Sequence, residues 1–590
     1  MPPQMSQNVP AENAKILDAH GCDGAQHSAG IAEGLRPDFL ARDLASALAS
    51  RPQTAIKMRI PATTPSQPLR FQSAGEIPSR NGSSLLGQPA SRFGEERKNA
   101  FRAADGAHYD VAIFGAGISG ARIFHELCRR GYRVLLLDRG DFAGGTTQAS
   151  GMLIWGGILY LKDFHLRTVH QLCRARDQLI EQMPEKIRVE RLRYLPGRES
   201  LRNRPAVRAG MMLYWLLGSL NRRFPGREAA FAELEVLKAG RFRHSLTFEE
   251  AMLKTSDCRF ALEWILPFIA PETPALNHCA TESANFDASS KRWRLEIRDR
   301  LDGHEAAVTA RFVVNAAGVW TDTLNESLGI ESPYRHELSK GVYISFRRPE
   351  SLRQILVFDT GKDSDTLTFV PWGPVALCGP TETRVAEIGE GFSVSPEDIR
   401  SLLLLANQNL HTRYGVEDIV SLRCGIRPLA VRRGFSKAAH PLELSRKHLI
   451  HHDQRRQAVA VYGGKLTSCG LLAEQVRTVF ASHLGPARPL LPPALEIPPT
   501  EFFPGLDEPV PSAAWCRDRE HCHTLEDYLR RRTNIAQWIP RGGLGVRSEN
   551  LATLREIARV FCRNEADADA AVTAYQQSVR ERHDDVLAGA

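Results

Sequence analysis

The chain has 590 residues, of which 43% are hydrophobic and 24% charged, and it carries a formal net charge of +8. That length accommodates about two or three domains around a large buried core, and a modest positive charge without aromatic residues among the basic ones excludes nucleic acid as a partner. The 11 cysteines are scattered without a CxxC pair, so they read as free thiols of a reducing, cytoplasmic compartment.

Residues 1–107 are rich in Pro, Ser, Gln, Ala and Gly and read as a disordered arm, with one short amphipathic possibility at 38–48. The pattern changes at Tyr109. Residues 111–114 are the short apolar run of a strand buried on both faces, and Gly115, Gly117 and Gly120 follow at once. Gly115 permits a tight turn, Gly117 lets the backbone approach a pyrophosphate, and Gly120 lets the helix pack on the strand, with Ile118 and Ser119 opening that helix toward the phosphates. Ala121, Ile123, Phe124 and Leu127 repeat at helical spacing before Gly131. Residues 134–137 make the next strand, and Asp138, followed by Arg139, stands at its tip to accept hydrogen bonds from a ribose. The glycine spacing alone is a weak signal; in this context it predicts a Rossmann-type dinucleotide site.

Further along, 211–220 is a mostly apolar run, and the surrounding interval 188–227 holds ten arginines against only Glu190 and Glu199. It reads equally as a face for an anionic bilayer and as a buried helix between solvated loops. No run approaches the roughly twenty apolar residues of a spanning helix, and the N-terminus lacks the apolar core of a secretory signal, so a cytoplasmic protein, peripheral to a membrane at most, is expected. Strands and helices alternate to about residue 480. A proline-rich stretch, 486–515, reads as a linker, and 516–590 as a helical domain opened by Thr524 with Asp527 three residues on. His521, Cys522 and His523 are adjacent and cannot all face one ion, so no metal is expected.

Flavin and nicotinamide enzymes share such an opening, and three later segments decide for FAD. Residues 141–160 supply small and hydroxyl-bearing groups, among them Thr146, Thr147, Ser150, Gly156 and Gly157. Residues 311–322 run from a strand into a turn at Ala317, Gly318 and Trp320, and 459–467 run from a strand into Gly464, Lys465, Leu466 and Thr467. Together with Arg423-Cys-Gly-Ile-Arg-Pro-Leu429, Phe369-Val-Pro-Trp372, Gly379-Pro-Thr-Glu382 and Leu529-Arg-Arg-Arg-Thr533, these segments resemble the FAD-dependent glycerol-3-phosphate dehydrogenases, within the amino-acid-oxidase-like flavoproteins.

The resemblance implies an α/β architecture: a Rossmann-type FAD-binding domain built from discontinuous segments, an inserted β-sheet substrate domain within 108–485, and a C-terminal helical domain. It implies hydride transfer from a small anionic secondary alcohol to flavin N5, with electrons passed to a quinone-like acceptor at the membrane. Arg427 and Lys465 stand where that family places its substrate anion site, although either suits the flavin's own negative charge, and Tyr160 either hydrogen-bonds the substrate or packs on the ring. Where the family carries a lysine, a histidine and an arginine, this chain has Met152, Trp155 and Leu159. That departure keeps open a less charged alcohol or amine as substrate, and also a flavin-bound protein without turnover. The base for the hydroxyl proton is not singled out; His448 and Glu263 are the possibilities. Oligomeric state cannot be read from these residues.

Overall fold

The computed structural model describes residues 91–590 except 162–163, 197–203, 229–234, 239, 243–244, 360–365, 387, 389–392, 435–446, 486–488 and 490–495. The amphipathic possibility at 38–48 and most of the arm lie outside the described residues. The end of the arm corrects the sequence reading, because Ser91–Ala104 is a helix. Its Arg97, Phe101 and Ala104 are buried, and Arg97 donates to Asp299 at 2.5 Å and to the Asn277 carbonyl at 2.7 Å.

The strand His108–Phe114 lies between Val134–Leu137 and Glu305–Asn315, parallel to both, and Ala458–Tyr462 lies parallel beyond Glu305–Asn315. The register pairs Val111 with Val134, Ala112 with Val313, and Val313 with Ala458, so one sheet unites three distant parts of the chain. Alternation along the central strand explains why it is apolar throughout. Val111 and Ile113 join a core with Phe124 and Leu472, whereas Ala112 and Phe114 join another with Trp293, Leu295 and Ile297. The first core belongs to helices, Ile118–Arg129 packing against Cys469–Leu484 and Asp257–Ile265. The second belongs to the antiparallel pair Cys279–Asp287 and Arg292–Asp299.

A second, mixed sheet has ten strands, and its longest pairing is antiparallel, Tyr334–Arg347 against Ile419–Arg432. Strands Ile355–Asp359, Thr366–Trp372 and Val375–Gly379 extend it, and Ile187–Leu195, Ser245–Leu253 and Leu153–Ile154 complete it on the far side. Because Leu153–Ile154 follows directly from the glycine-rich loop, this sheet is tied to the dinucleotide domain beside the cleft.

Residues 500–590 build their own core around Leu525, Tyr528, Leu529, Leu554 and Val572. The stretch read as a linker contains the paired strands Thr500–Glu501 and Val510–Pro511, and the helix Ala513–Arg519 crosses its end. Thr524 and Asp527 form a reciprocal cap: Thr524 N donates to Asp527 Oδ2 at 3.0 Å and Asp527 N to Thr524 Oγ1 at 3.1 Å. The turn that follows, Asp527–Arg532, is π-helical. His521, Cys522 and His523 do not converge on a point; Cys522 is in the core and His523 meets Arg97 Nη1 at 3.0 Å.

Candidate active site

The ends of the central parallel strands, the loop 141–150, the second sheet and the C-terminal domain surround a cleft of about 2250 Å³. Glycine shapes its dinucleotide end. A Cβ on Gly115, whose φ is +95°, would fall 2.6 Å from the Ala316 carbonyl oxygen, and one on Gly120 would fall 1.8 Å from that of Gly115. At Gly117 the backbone is ordinary, φ −68°, and a Cβ would meet Thr147 Oγ1 at 3.2 Å. Thr147 Oγ1 accepts from Ile118 N at 3.0 Å, fixing the loop against the start of the helix. A Cβ on Gly464 would meet Ser119 Oγ at 3.1 Å, so the later glycine turn closes on the same helix start. Bare backbone around the N-terminus of a twelve-residue helix fits a pyrophosphate.

Asp138 accepts from Ala116 N at 2.7 Å and from Gly140 N at 2.9 Å. Burial pushes its carboxyl up to about 6 despite those two donors, and each oxygen keeps a lone pair for a ribose hydroxyl. Arg139, Thr146, Ser150, Gly157, Ala317, Gly318, Trp320, Leu466 and Thr467 also line the cleft. Thr146 Oγ1 donates to the Ile426 carbonyl at 2.6 Å and Thr467 Oγ1 to that of Trp155 at 2.9 Å, so loop, second sheet and final strand are cross-linked.

Gly156 is not on the cleft lining. Its N–H donates to the buried Glu250 at 3.1 Å, and a Cβ there would strike Tyr214 Oη at 2.1 Å. Gly156 therefore holds the cleft wall from behind. Met152 also departs from the sequence reading: it is fully buried in the core with φ +64°, whereas Trp155 and Leu159 do line the cleft. Neither base candidate reaches the cleft lining. Glu263 pairs with Lys186 at 2.8 Å, and His448 Nε2 meets Gln475 Oε1 at 3.0 Å.

Tyr160, Lys465 and Arg427 all reach the cleft. Lys465 Nζ donates to Tyr160 Oη at 2.8 Å and sits 4.4 Å from the ring centroid. Arg427 lies across Gly341 and donates to Glu382 Oε2 at 2.8 Å, while Ser339 Oγ hydrogen-bonds the other Glu382 oxygen. Glu382 was not singled out from the sequence, because the pairings of Ser339 with Arg427 and of Lys340 with Thr383 bring it there. Arg423 was missed likewise: it is buried, donates to Asp257 Oδ2 at 2.6 Å and to the Ser150 carbonyl at 3.0 Å, and lies 5.0 Å over Trp372.

The C-terminal domain is pinned to the loop by Asp141. Arg532 donates to it at 2.7 and 2.9 Å and Arg531 at 2.6 Å, which holds its carboxyl well below the usual range despite burial. Asp141, His278 and Asp527 bring ligand-type atoms within 4.8 Å of one another, but guanidinium groups occupy both carboxylates.

A parallel sheet whose strand ends open through glycine turns on a cleft, with a cation and a phenol on its lining, is the site of a dinucleotide-binding flavoprotein. A protein-family model described as FAD dependent oxidoreductase matches residues 110–477, and the chain belongs to that family, with FAD as its cofactor. Glycerol-3-phosphate dehydrogenase of Pseudomonas aeruginosa is 28% identical over 387 residues, covering 64% of this chain and 73% of the relative. Aerobic glycerol-3-phosphate dehydrogenase of Escherichia coli K12 is also 28% identical over 387 residues, covering 64% and 75%. Among solved structures, glycerol-3-phosphate dehydrogenase from Bacillus halodurans complexed with FAD superposes with a TM-score of 0.63 at 20% identity, over 84% of this chain and 98% of that one. This last likeness is one of fold.

Proposed function

We propose that this FAD-dependent oxidoreductase oxidises a small anionic secondary alcohol, with glycerol 3-phosphate going to dihydroxyacetone phosphate as the leading case. The observation that carries the reading is the convergence of Lys465, Tyr160 and Arg427 on one cleft with the dinucleotide turns. The relatives named glycerol-3-phosphate dehydrogenase support it.

FAD, when bound, would supply the acceptor for the hydride of the carbinol carbon, and the hydroxyl proton would leave to solvent water in the open cleft. Lys465 and Tyr160, already hydrogen-bonded to each other, hold the alcohol oxygen and stabilise the negative charge that develops on it. Arg427 offers a planar fork to the phosphate once Glu382 yields part of it; being permanently protonated, it takes no proton itself. Trp155 and Leu159 supply apolar wall.

Electrons then pass to a quinone-like acceptor at the inner face of a membrane, and the helix Arg204–Leu217 with the turn after it is the contact. Met211 and Tyr214 bury one side of it, while Met212 and Leu216, each 41% exposed, and Phe224, 52% exposed, face outward beside Arg223. Such contact is peripheral, since no helix among the described residues is long and apolar enough to cross a membrane.

The test is an anaerobic visible spectrum of the FAD-loaded protein before and after adding glycerol 3-phosphate. Bleaching of the oxidised-flavin bands is expected. An unchanged spectrum would overturn the leading case in favour of a less charged alcohol or amine, a second reading supported by Trp155 and Leu159 and by the Glu382 carboxylate that already answers Arg427.

A further inference from the structure

Among the arginines of the cleft lining, Arg423 and Arg427 stand on the strand Ile419–Arg432 and Arg530 and Arg531 on the turn Asp527–Arg532, and three of these four face a carboxylate: Arg423 meets Asp257, Arg427 meets Glu382 and Arg531 meets Asp141. Arg530 has none within ion-pair distance among the described residues. It hydrogen-bonds the Gln148 carbonyl, and its Nη1, shielded from solvent, donates to nothing. The Nε of Arg423 is buried and unfilled as well. Guanidinium N–H groups withdrawn from water are ordinarily filled, so two unfilled donors on one wall of a ligand cleft mark a place where an acceptor belongs. Burial first, and then the charge of Arg423, push the Arg530 guanidinium down to about 10. An anion arriving there would offset both effects by its opposite charge.

We propose that Arg530, steadied by Gln148 and backed by Arg423, is a second anion-binding station of the cleft and takes a phosphate or carboxylate oxygen of the substrate. This rests on the reading of the substrate as an anionic alcohol. It gives the C-terminal domain a direct part in substrate recognition, because Arg530 belongs to that domain's π-helical turn. It also locates a cation without a carboxylate partner in a cleft where Arg427 is already answered by Glu382.

The experiment compares FAD-loaded wild type with R530M and with R530Q, which keeps a donor for the Gln148 carbonyl. Inorganic phosphate is titrated into each oxidised protein and followed by the flavin difference spectrum. In parallel, anaerobic flavin reduction is measured against glycerol 3-phosphate concentration. Loss of one charge-assisted hydrogen bond should raise the half-saturating concentration in both titrations roughly ten- to a hundredfold, with a much smaller effect on the limiting rate of reduction. If phosphate binding weakens as expected while glycerol 3-phosphate leaves even the wild-type flavin oxidised, the station stands and the substrate reading is the one that fails. Phosphate titrations that coincide for all three proteins overturn the station. Loss of FAD from both variants also overturns it, assigning the guanidinium to the cofactor.

Discussion

At the scale of single residues, three glycines shape one end of the cleft. Gly115, Gly117 and Gly120 are needed for reasons local to a strand–turn–helix unit, and such reasons leave a fixed spacing in sequence. Gly117 offers the cleanest check, because its φ of −68° suits alanine and the added carbon meets only Thr147 Oγ1, at 3.2 Å. Gly117→Ala should cost the protein without cofactor no more than about 1 kcal/mol while lowering FAD affinity about tenfold or more. Cofactor retention through gel filtration, read from the flavin-to-protein absorbance ratio, decides this; full retention would remove Gly117 from the cradle. Glu382 and Asp257 were not legible, since each reaches its arginine across sheet register or across more than a hundred residues of chain. Met152 was misplaced for a different reason: a positive φ, beside Gly151, turns its side chain into the core, and nothing in the residue types announces that turn.

Among elements, the parallel strands and the helix Ile118–Arg129 lie where their apolar patterns put them, and the cap at Thr524 and Asp527 forms as its spacing implies. What could not be read is the widening of the next turn. At the 100° per residue of an α-helix, adjacent arginines point apart; in the π-helical turn Asp527–Arg532, both Arg531 and Arg532 reach Asp141. His278 buttresses that turn through Asp527 Oδ2 at 2.9 Å. Burial, the largest single influence, pulls the His278 pKa down, but the hydrogen bond and charge of Asp527, with Asp141 behind it, raise it above 6.5 on balance. A raised histidine stabilises the folded state fully below its unfolded value and ceases to do so as pH climbs through the folded one. The difference in melting temperature between wild type and His278→Asn should therefore be widest at about pH 6 and shrink by about pH 9. A gap that holds constant across that range would show that protonation of His278 contributes nothing to docking.

For the whole molecule, the joint between C-terminal domain and flavin loop is a buried ion cluster of Asp141, Arg531 and Arg532. Removing one partner of such a cluster leaves an uncompensated charge and costs about 3 kcal/mol or more. Arg532→Met should lower the thermal midpoint, and because Asp141 opens the loop that carries Thr146 and Thr147, FAD release should move down with it. Flavin fluorescence and far-ultraviolet circular dichroism, followed in one melt, test this. A release temperature that stays put while the dichroism shifts would mean that the loop holds its shape without the domain. The architecture as a whole was visible in outline from the order of glycine turns, whereas the helix Ser91–Ala104 was not, because it follows directly on a Pro-, Ser- and Gly-rich stretch and is anchored by contacts such as Arg97 to Asp299, 202 residues away. The same ion cluster has a consequence in time. Asp141 and Arg532 are 391 residues apart, so at ribosomal speeds the loop emerges roughly 20 to 80 seconds before its arginine partners. A nascent chain carries that loop with the Asp141 carboxylate unanswered until Arg531 and Arg532 have been made.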